Sequence, residues 1–285
     1  MEKVTLYIPC YNAEDTIKEC LESIISQSYE IDEILLIDDG SNDRSVEIAK
    51  EYPVRIISHK ENKRLAAARN TAFEEAKNEF VASLDADCVA HHQWLEKLMN
   101  GFMSDNIAGV GGRVIERYIL GIADRWRAIH MPQNWGSEFI ENPAFLYGSN
   151  SVFKKSVINS VGLYNNFLAN NYEDVDISKR IYSRGFWLIY NPDAIVEHLR
   201  RDTANSILTT YWRWCFQAHI NPHNINNMSR RIVARFLMIE EIFHKFFQED
   251  LLNKNYILLP MDFLLLFYFP WLDLKYHFKK IKKNS

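Results

Sequence analysis

Short apolar runs alternate with longer amphipathic stretches through the first two thirds of the chain. Each apolar run has the length of a buried strand and ends in polar residues. The amphipathic stretches repeat their apolar side chains at helical spacing, as Ile17, Leu21 and Ile24 do. This alternation predicts an α/β fold with a mostly parallel central sheet that is flanked by helices. The predicted strands are residues 4–8, 31–37, 54–57, 80–84, 107–114, 144–153, 186–190 and 194–196, and the main predicted helices are residues 65–76, 94–103, 156–161, 177–183, 206–219 and 231–247.

Polar residues follow several of these strands at the point where each strand ends. In such sheets, ligands bind beyond the carboxyl ends of the strands, where Tyr11, Asp38 and Asp39 are expected. Asp85 and Asp87 end another apolar run, and side chains two apart on a strand point the same way. Two convergent carboxylates repel unless a cation lies between them, and hard oxygen ligands suit Mg²⁺ or Mn²⁺. We interpret the pair as a metal–diphosphate site, with a solvated acidic turn as the alternative.

Three acids, Glu173, Asp174 and Asp176, crowd the start of the helix predicted at 177–183. One acid there is explained by the helix dipole, but three repel one another. A carboxylate surrounded by others and close to a substrate hydroxyl is typical of a general base. His198 follows a short strand and is either a structural histidine or a ligand.

Two stretches suggest known site types less clearly. The run that contains Gly109, Gly111 and Gly112 resembles a dinucleotide fingerprint, but Val114 stands where the third glycine is required. It is better interpreted as a strand to which other backbone comes close. Residues 118–142 lose the regular pattern, so they form either a mobile lid over an acceptor or an irregular packed segment.

Composition narrows the functional classes. The net charge of −4 excludes a general nucleic-acid binder, because no basic excess is present to neutralise a phosphate backbone. The four cysteines are scattered without metal-binding spacing, which is typical of reduced thiols in the cytoplasm. The N-terminus leads directly into a strand, so we expect no signal peptide.

The last fifth of the chain is helical in pattern and rich in aromatic residues. Tyr211, Trp212 and Trp214 either line a phosphate or acceptor site or form the core of an amphipathic helix. Residues 256–274 are apolar but are interrupted by two prolines and an aspartate, and a lysine cluster follows. Peripheral contact of residues 256–283 with an anionic membrane is one interpretation. A hairpin packed on the catalytic domain and a dimer contact are the others, and the oligomeric state is not predicted.

The chemistry-bearing motifs follow one another in a definite order. They are Ile8-Pro-Cys-Tyr-Asn-Ala-Glu14, Ile37-Asp-Asp-Gly-Ser41, Ala68-Arg-Asn70, Leu84-Asp-Ala-Asp87, Gly148-Ser-Asn150, Tyr172-Glu-Asp174 and His198. In this order the chain resembles the family-2 glycosyltransferases, over residues 4 to about 205. The resemblance implies their Rossmann-like GT-A fold. It predicts a catalytic domain at 1–205, with a nucleotide-binding half at 1–115 and an acceptor half at 116–205, and a C-terminal helical region at 206–285.

The resemblance also implies an activity and a set of roles. The family inverts the anomeric centre, uses nucleotide-diphosphate sugars, most often UDP-sugars, and requires Mn²⁺ or Mg²⁺. The acceptor would be a glycan or a lipid-linked sugar at the inner face of the cell membrane, in surface polysaccharide or glycolipid synthesis. By position, Asp174 matches the catalytic base with Glu173 beside it, and Asp87 and His198 match the metal ligands. The matches for donor binding are Pro9, Tyr11, Glu14, Asp39, Arg69 and Asp85.

One departure and two alternative functions stay open. The family usually has glycine shortly before Ala68-Arg-Asn70, where this chain has Lys63 and Arg64, so the preference for uracil is in doubt. A sugar-nucleotide nucleotidyltransferase would also need a metal and a parallel sheet, but it usually has an early glycine-rich basic loop. A non-catalytic sugar-nucleotide binder on the same fold would not need Asp174.

Overall fold

The computed structural model describes residues 1–168, 171–219 and 228–284 of the chain. They form two compact units, the first made of Met1–Arg117 and Gln133–Arg200 and the second of Tyr118–Pro132 and Arg201–Ser285. The division predicted at residue 205 placed residues 118–132 with the catalytic domain. In the structure these residues pack within the second unit, because the fully buried Trp126 is part of its core.

The strands are β1 (Val4–Cys10), β2 (Glu33–Asp38), β3 (Arg55–Ser58), β4 (Phe80–Leu84), β5 (Cys88–Ala90), β6 (Ile107–Glu116), β7 (Ile140–Glu141), β8 (Asn150–Lys154) and β9 (Trp187–His198). The helices are α1 (Ile17–Ile25), α2 (Ser45–Ala49), α3 (Leu65–Glu75), α4 (Trp94–Met99), α5 (Ile122–His130), α6 (Lys155–Ser160), α7 (Glu173–Ser183), α8 (Ala204–His219), α9 (Met228–Leu252) and α10 (Leu259–Asn284). A 3₁₀ turn at Tyr256–Leu258 leads into α10.

All the strands join one sheet in the order β3-β2-β1-β4-β8-β6-β9-β5, and β7 pairs with β9. The first four strands of this order are parallel, as the alternation of strands and helices predicts. β8 runs antiparallel to both β4 and β6, and β9 is parallel to β6 but antiparallel to β5 and β7. The sheet is therefore mixed, and its parallel part is the half predicted to bind the nucleotide.

The core of the first unit lies on both faces of this sheet. Leu6 and Ile8 of β1 pack with α1 on one face, in a cluster that also includes Trp94. Tyr7, between them, points to the opposite face and packs edge-on against Phe73 of α3. Because helices cover both faces, the strands are apolar at nearly every position and lack an exposed polar side.

β9 corrects one sequence-based prediction. The segment Asn191-Pro-Asp193 was predicted to turn the chain between two short strands, but β9 continues through it. Its pairing with β6 shifts register here, since Gly112 pairs with Asn191 and Arg113 pairs with Ile195. A side chain at Gly112 would meet the carbonyl oxygen of Ala194 and the amide of Asn150. The close backbone approach predicted for the glycine run is confirmed.

The second unit is a helical assembly with its own core, in which the side chains of Trp126, Ile207, Trp212 and Phe269 are buried. Trp212 donates its indole N–H to Asp273 Oδ1 at 2.8 Å, so it packs as a core residue. Part of the predicted lid or packed segment is the regular helix α5. The apolar run predicted to be interrupted is helical through Pro270.

Among the residues that the structure describes, one helical stretch, Tyr256–Tyr276, is long and apolar enough to cross a membrane by length and composition. Only 33% of it is buried. A core helix of a soluble protein can pass the same test, so this observation alone assigns no membrane span. Of the lysine cluster predicted to follow it, Lys275 is exposed, whereas Lys279, Lys280, Lys282 and Lys283 lie outside the residues whose side chains are described.

Candidate active site

Asp87 and His198 meet at the end of β9. His198 Nε2 lies 3.0 Å from Asp87 Oδ2, and the backbone N–H of Leu199 donates to the carbonyl of Asp87 at 2.8 Å. Sheet pairing causes this meeting, because His198 is opposite Cys88 of β5. Two residues that are far apart in the sequence are therefore in contact, as the predicted metal site requires.

Glu116 completes this cluster and was not predicted. His198 Nδ1 lies 3.2 Å from Glu116 Oε2, because β6 and β9 run parallel and place the two residues side by side. A carboxylate on the second ring nitrogen fixes the tautomer of a histidine and makes it a stronger metal ligand. Glu116 ends an apolar strand, so the rule that ligands bind at carboxyl ends of strands could have identified it.

The donor atoms at this cluster fit a divalent cation. A carboxylate oxygen and an imidazole nitrogen are ligands that Mn²⁺ accepts, and Mg²⁺ would rely more on oxygen. The His198 side chain is 6% exposed whereas that of Asp87 is 41% exposed, so the carboxylate faces solvent. A metal held here would keep coordination positions for water or substrate oxygens.

Arg69 forms the centre of a second cluster and is 2% exposed. Its Nη2 lies 3.8 Å from Asp85 Oδ1, and its Nη1 lies 3.5 Å from Glu173 Oε1. Its guanidinium also lies 5.5 Å from the centre of the Tyr164 ring. Arg69 was predicted to approach the base or diphosphate, and the structure places it between acids from two distant segments.

Burial of the Asp85 side chain raises its pKa to about 6, an effect that Arg69 opposes and Asp87 reinforces. Asp85 and Asp87 therefore connect the cluster around Arg69 with the cluster around His198. Asp85 contacts Arg69 and Asp87 contacts His198, although only Ala86 separates them. The structure thus brings together five of the predicted site residues, Arg69, Asp85, Asp87, Glu173 and His198, and adds Glu116.

The three acids at the start of α7 have different surroundings. Glu173 is buried and faces Arg69, and Asp176 accepts two hydrogen bonds from Arg180. Among the described residues no lysine or arginine forms an ion pair with Asp174, whose Oδ1 accepts the N–H of Val175 at 2.8 Å. Burial and the negative charge of Glu173 raise the pKa of Asp174 to about 7, against the opposing effect of Arg69. Its carboxylate can accept a proton near neutral pH.

The loops after β1 and β2 are joined by hydrogen bonds at the carboxyl ends of these strands. Asn42 donates its backbone N–H to Asn12 Oδ1 at 2.8 Å, and Arg44 donates its own to Glu14 Oε2 at 3.1 Å. Pro9 is buried within β1, whereas Tyr11 is 48% exposed. Glu14 therefore has a structural partner, and Tyr11 presents its ring to solvent.

Asp39 is buried and holds the loop that leads into α3. It accepts the backbone N–H groups of Lys63 at 2.8 Å and Arg64 at 2.7 Å, and His59 Nδ1 lies 2.7 Å from its Oδ1. Arg64 has φ +80° and ψ 166°, a backbone conformation that is almost restricted to glycine. This is the place where the family usually has glycine. The predicted contact of Asp39 with the base stays a prediction.

The chain is similar to known glycosyltransferases. The model of a family described as "Glycosyl transferase family 2" matches residues 5–162. Glycosyltransferase AglE of Haloferax volcanii is 31% identical over 207 residues, which cover 70% of this chain and 67% of that protein. Poly-beta-1,6-N-acetyl-D-glucosamine synthase of Staphylococcus aureus is 25% identical over 257 residues, covering 85% of this chain and 61% of that protein.

Solved structures show the same architecture. The mannosyltransferase PcManGT from Pyrobaculum calidifontis, solved in complex with GDP-Man and Mn²⁺, superposes with a TM-score of 0.60 at 20% identity. The match covers 75% of this chain and 62% of that one. At this identity the likeness shows the fold alone, and it confirms the predicted GT-A fold. The chain spans about three fifths to two thirds of the length of these three proteins.

Proposed function

The chain belongs to glycosyl transferase family 2, and on that premise we propose that it transfers a sugar from a nucleotide-diphosphate sugar to an acceptor hydroxyl with inversion. The observation that carries the proposal is the arrangement around Arg69. On one side lie Asp85 and the Asp87–His198 contact, and on the other lie Glu173 and its neighbour Asp174. A donor-binding cluster and a carboxylate able to act as a base thus adjoin one buried cation.

Asp174 is the proposed general base. Its pKa of about 7 makes the carboxylate a stronger base than an exposed aspartate and still leaves part of the group ionised at neutral pH. It would take the proton of the acceptor hydroxyl as that oxygen attacks the anomeric carbon. Direct attack by the acceptor requires no protein nucleophile and inverts the anomeric centre.

Asp87 and His198 would hold Mn²⁺ or Mg²⁺, with Glu116 orienting the imidazole. When bound, such an ion stabilises the negative charge that develops on the departing diphosphate. The donor nucleotide would lie across the ends of β1 and β2, near Pro9, Tyr11, Glu14 and Asp39. The exposed Tyr11 ring is available to contact it. We favour UDP as the nucleotide, because the carried-over role of Asp39 is typical of uracil binding.

We propose a glycan or lipid-linked acceptor and a place at the cytoplasmic face of the membrane, in surface polysaccharide or glycolipid synthesis. The name of the staphylococcal relative, a polysaccharide synthase, supports this acceptor class. Exposed apolar side chains on α10 support membrane contact: Phe267 is 75% exposed and Leu274 is 59% exposed. Lys275 places its ammonium 4.7 Å from the centre of the Trp271 ring, at the end of this apolar surface. A cation beside an exposed aromatic suits the headgroup region of an anionic membrane.

The Asp174→Asn variant tests the proposed activity. We expect transfer to fall by about 10² or more, the scale of losing a general base, while nucleotide binding stays nearly unchanged. Asp176→Asn is the matched control, because Asp176 lies in the same helical turn but pairs with Arg180. Donors are first identified by thermal-shift screening of nucleotide diphosphates and their sugars with and without Mn²⁺.

Each alternative function has its own outcome in these assays. Transfer by Asp174→Asn at the wild-type rate would contradict the proposed base. A nucleotidyltransferase would form a sugar nucleotide from a nucleoside triphosphate and a sugar phosphate. A non-catalytic binder would bind the donor without transfer by the wild-type protein.

A further inference from the structure

A second cluster of ligand-type side chains lies inside the helical unit, outside the proposed active site. His130, Asp250 and Asp262 each offer one ligand atom, and these atoms lie within 4.8 Å of one another. The side chains of His130 and Asp250 have no exposed surface, and Asp262 is fully buried as a residue. They come from the end of α5, the last turn of α9 and the first turn of α10.

The hydrogen bonds inside this cluster are incomplete. His130 Nε2 lies 3.0 Å from Asp250 Oδ2, and Trp126 donates its indole N–H to Asp262 Oδ1 at 2.9 Å. Among the described residues, no donor reaches two buried atoms of the cluster, His130 Nδ1 and Asp262 Oδ2, and the group within hydrogen-bonding reach of Asp262 besides Trp126 is the Asp250 carboxyl group, which is itself an acceptor when ionised. The nearest carboxylate to His130 Nδ1 is Glu249, at 3.8 Å, too far for a hydrogen bond. Buried polar atoms in this state point to a missing partner.

The cluster also buries two carboxylates beside a single imidazole. Two carboxylates are buried together, and no arginine or lysine in the described part of the chain forms an ion pair with either. Phe246 packs against the His130 ring, with their centroids 4.3 Å apart, so the surroundings are apolar. Paired carboxylates in such a place need a cation or a shared proton.

We propose that His130, Asp250 and Asp262 bind one divalent transition-metal ion, best matched by Zn²⁺, that ties α5, α9 and α10 together. One imidazole nitrogen and two carboxylate oxygens form a ligand set that Zn²⁺ accepts. Ligand atoms about 2.1 Å from Zn²⁺ are at most about 4.2 Å apart, so the cluster needs only a small contraction. The two carboxylates balance the charge of the ion without any other cation.

This metal site is structural in character. All three of its residues are buried, whereas Asp87 at the proposed catalytic cluster has a side chain that is 41% exposed. Structural zinc sites are four-coordinate and closed, so one of the two aspartates would bind the ion through both of its carboxylate oxygens and supply the fourth position. The ion would join α5 to α9 and α10, which lie far from it in the sequence, and it would therefore stabilise the fold of the second unit.

Metal content tests the proposal in a chain whose other metal site has been removed. Asp87→Ala protein is loaded with Zn²⁺, desalted and measured by mass spectrometry. We expect one equivalent of Zn²⁺ in this variant and none after Asp262→Asn is added. The matched control is Asp273→Asn in the same Asp87→Ala background. Asp273 likewise accepts a tryptophan N–H but pairs with Arg235, so this change should leave one equivalent.

Thermal unfolding provides a second measurement that does not depend on the double variant folding well. The midpoint of the Asp87→Ala protein should fall when a chelator removes the metal, and it should recover when Zn²⁺ is added back. A protein that retains no Zn²⁺ and whose midpoint ignores both treatments would overturn the proposal, leaving a shared proton in the cluster. Retention of Zn²⁺ after Asp262→Asn would overturn it too, because the ion would then be bound elsewhere.

Discussion

Gly148 allows Arg69 to occupy the centre of the active site, and replacing it with alanine tests that arrangement. A Cβ atom at position 148 would overlap Nη1, Nη2 and Cζ of Arg69. The guanidinium cannot yield freely, since Asp85 and Glu173 lie on two sides of it at 3.8 and 3.5 Å. The side chain is also buried, so no solvent-filled space is available to it. The variant must therefore displace Arg69 from at least one acid.

The size of the effect lies between two known costs. Inserting a methyl group into a packed interior costs about 1–3 kcal/mol of folding stability, and breaking a buried ion pair costs about 3–5 kcal/mol. The two ion-pair contacts are already longer than a close salt bridge, so a shift of the guanidinium weakens them without removing both. We expect Gly148→Ala to lower the free energy of unfolding by about 2–4 kcal/mol.

Urea unfolding measures this loss, with Gly121→Ala as a glycine-to-alanine control that leaves Arg69 untouched. A Cβ atom at Gly121 would meet only Asp124 Oδ2, at 3.5 Å, and Gly121 belongs to the second unit, so its effect on the unfolding of the first unit should stay within about 0.5 kcal/mol. The two units can unfold in separate transitions. The free energies of unfolding that are compared belong to the transition whose midpoint rises when nucleotide is bound. In an Arg69→Met background, Gly148→Ala should cost less than about 1 kcal/mol. Equal stability of Gly148→Ala and Gly121→Ala would refute this account of Arg69.

Four further predictions concern Glu116, Arg64, the ionisation of Asp174 and the exposed face of α10. Glu116→Gln should weaken Mn²⁺ binding by about 10–100-fold, measured as Mn²⁺-dependent donor binding, because the imidazole loses its orienting carboxylate. Arg64→Gly should be about 1 kcal/mol more stable than Arg64→Ala in urea unfolding, because only glycine adopts φ +80° without strain. The transfer rate should rise with pH through about 7, where Asp174 ionises. Since the pKa of this group is raised on folding, its ionisation opposes folding: wild-type stability should fall as pH rises from about 4 through 7, and Asp174→Asn should lack that part of the fall. Phe267→Glu should reduce sedimentation with anionic liposomes, whereas Phe167→Glu, at a 96% exposed position of the first unit, should not.

The nucleotide-binding half of the fold could be predicted because its signals are local. The strand β4 has the predicted bounds, Phe80–Leu84, since an apolar run followed at once by acids describes both its burial and its end. β9 could not be predicted, because Pro192 suggests a turn within the sequence. Only pairing with β6, from a distant part of the chain, shows that the strand continues. The helical character of the last fifth of the chain was predicted, but α10 continues through Pro270, where an interruption was expected, since packing within the second unit outweighs local propensity.

In the candidate site too, residues within local motifs could be predicted, whereas contacts that depend on the pairing of distant strands could not. Asp87 and His198 carry recognisable motifs, so their meeting could be predicted from order along the chain. Glu116 stands after an apolar run without any motif, and only the alignment of β6 with β9 brings it to the imidazole. The position of Arg69 among acids was missed because its motif indicates a contact with the donor, while its burial depends on Gly148, far along the chain.

The position of Arg69 also affects the pKa of Asp174, the proposed general base, and no local sequence motif indicates this effect. Arg69 lowers the pKa of Asp174, while burial and the charge of Glu173 raise it, and the balance leaves the pKa near 7. Removing or displacing the guanidinium would leave only backbone hydrogen bonds to oppose the two raising effects, so the pKa of Asp174 would rise further and more of this group would hold its proton at neutral pH. The pH profile of transfer should therefore move upward in Gly148→Ala, even in preparations that fold fully. Such a shift, absent in Gly121→Ala, would separate the electrostatic role of Arg69 from its contribution to stability.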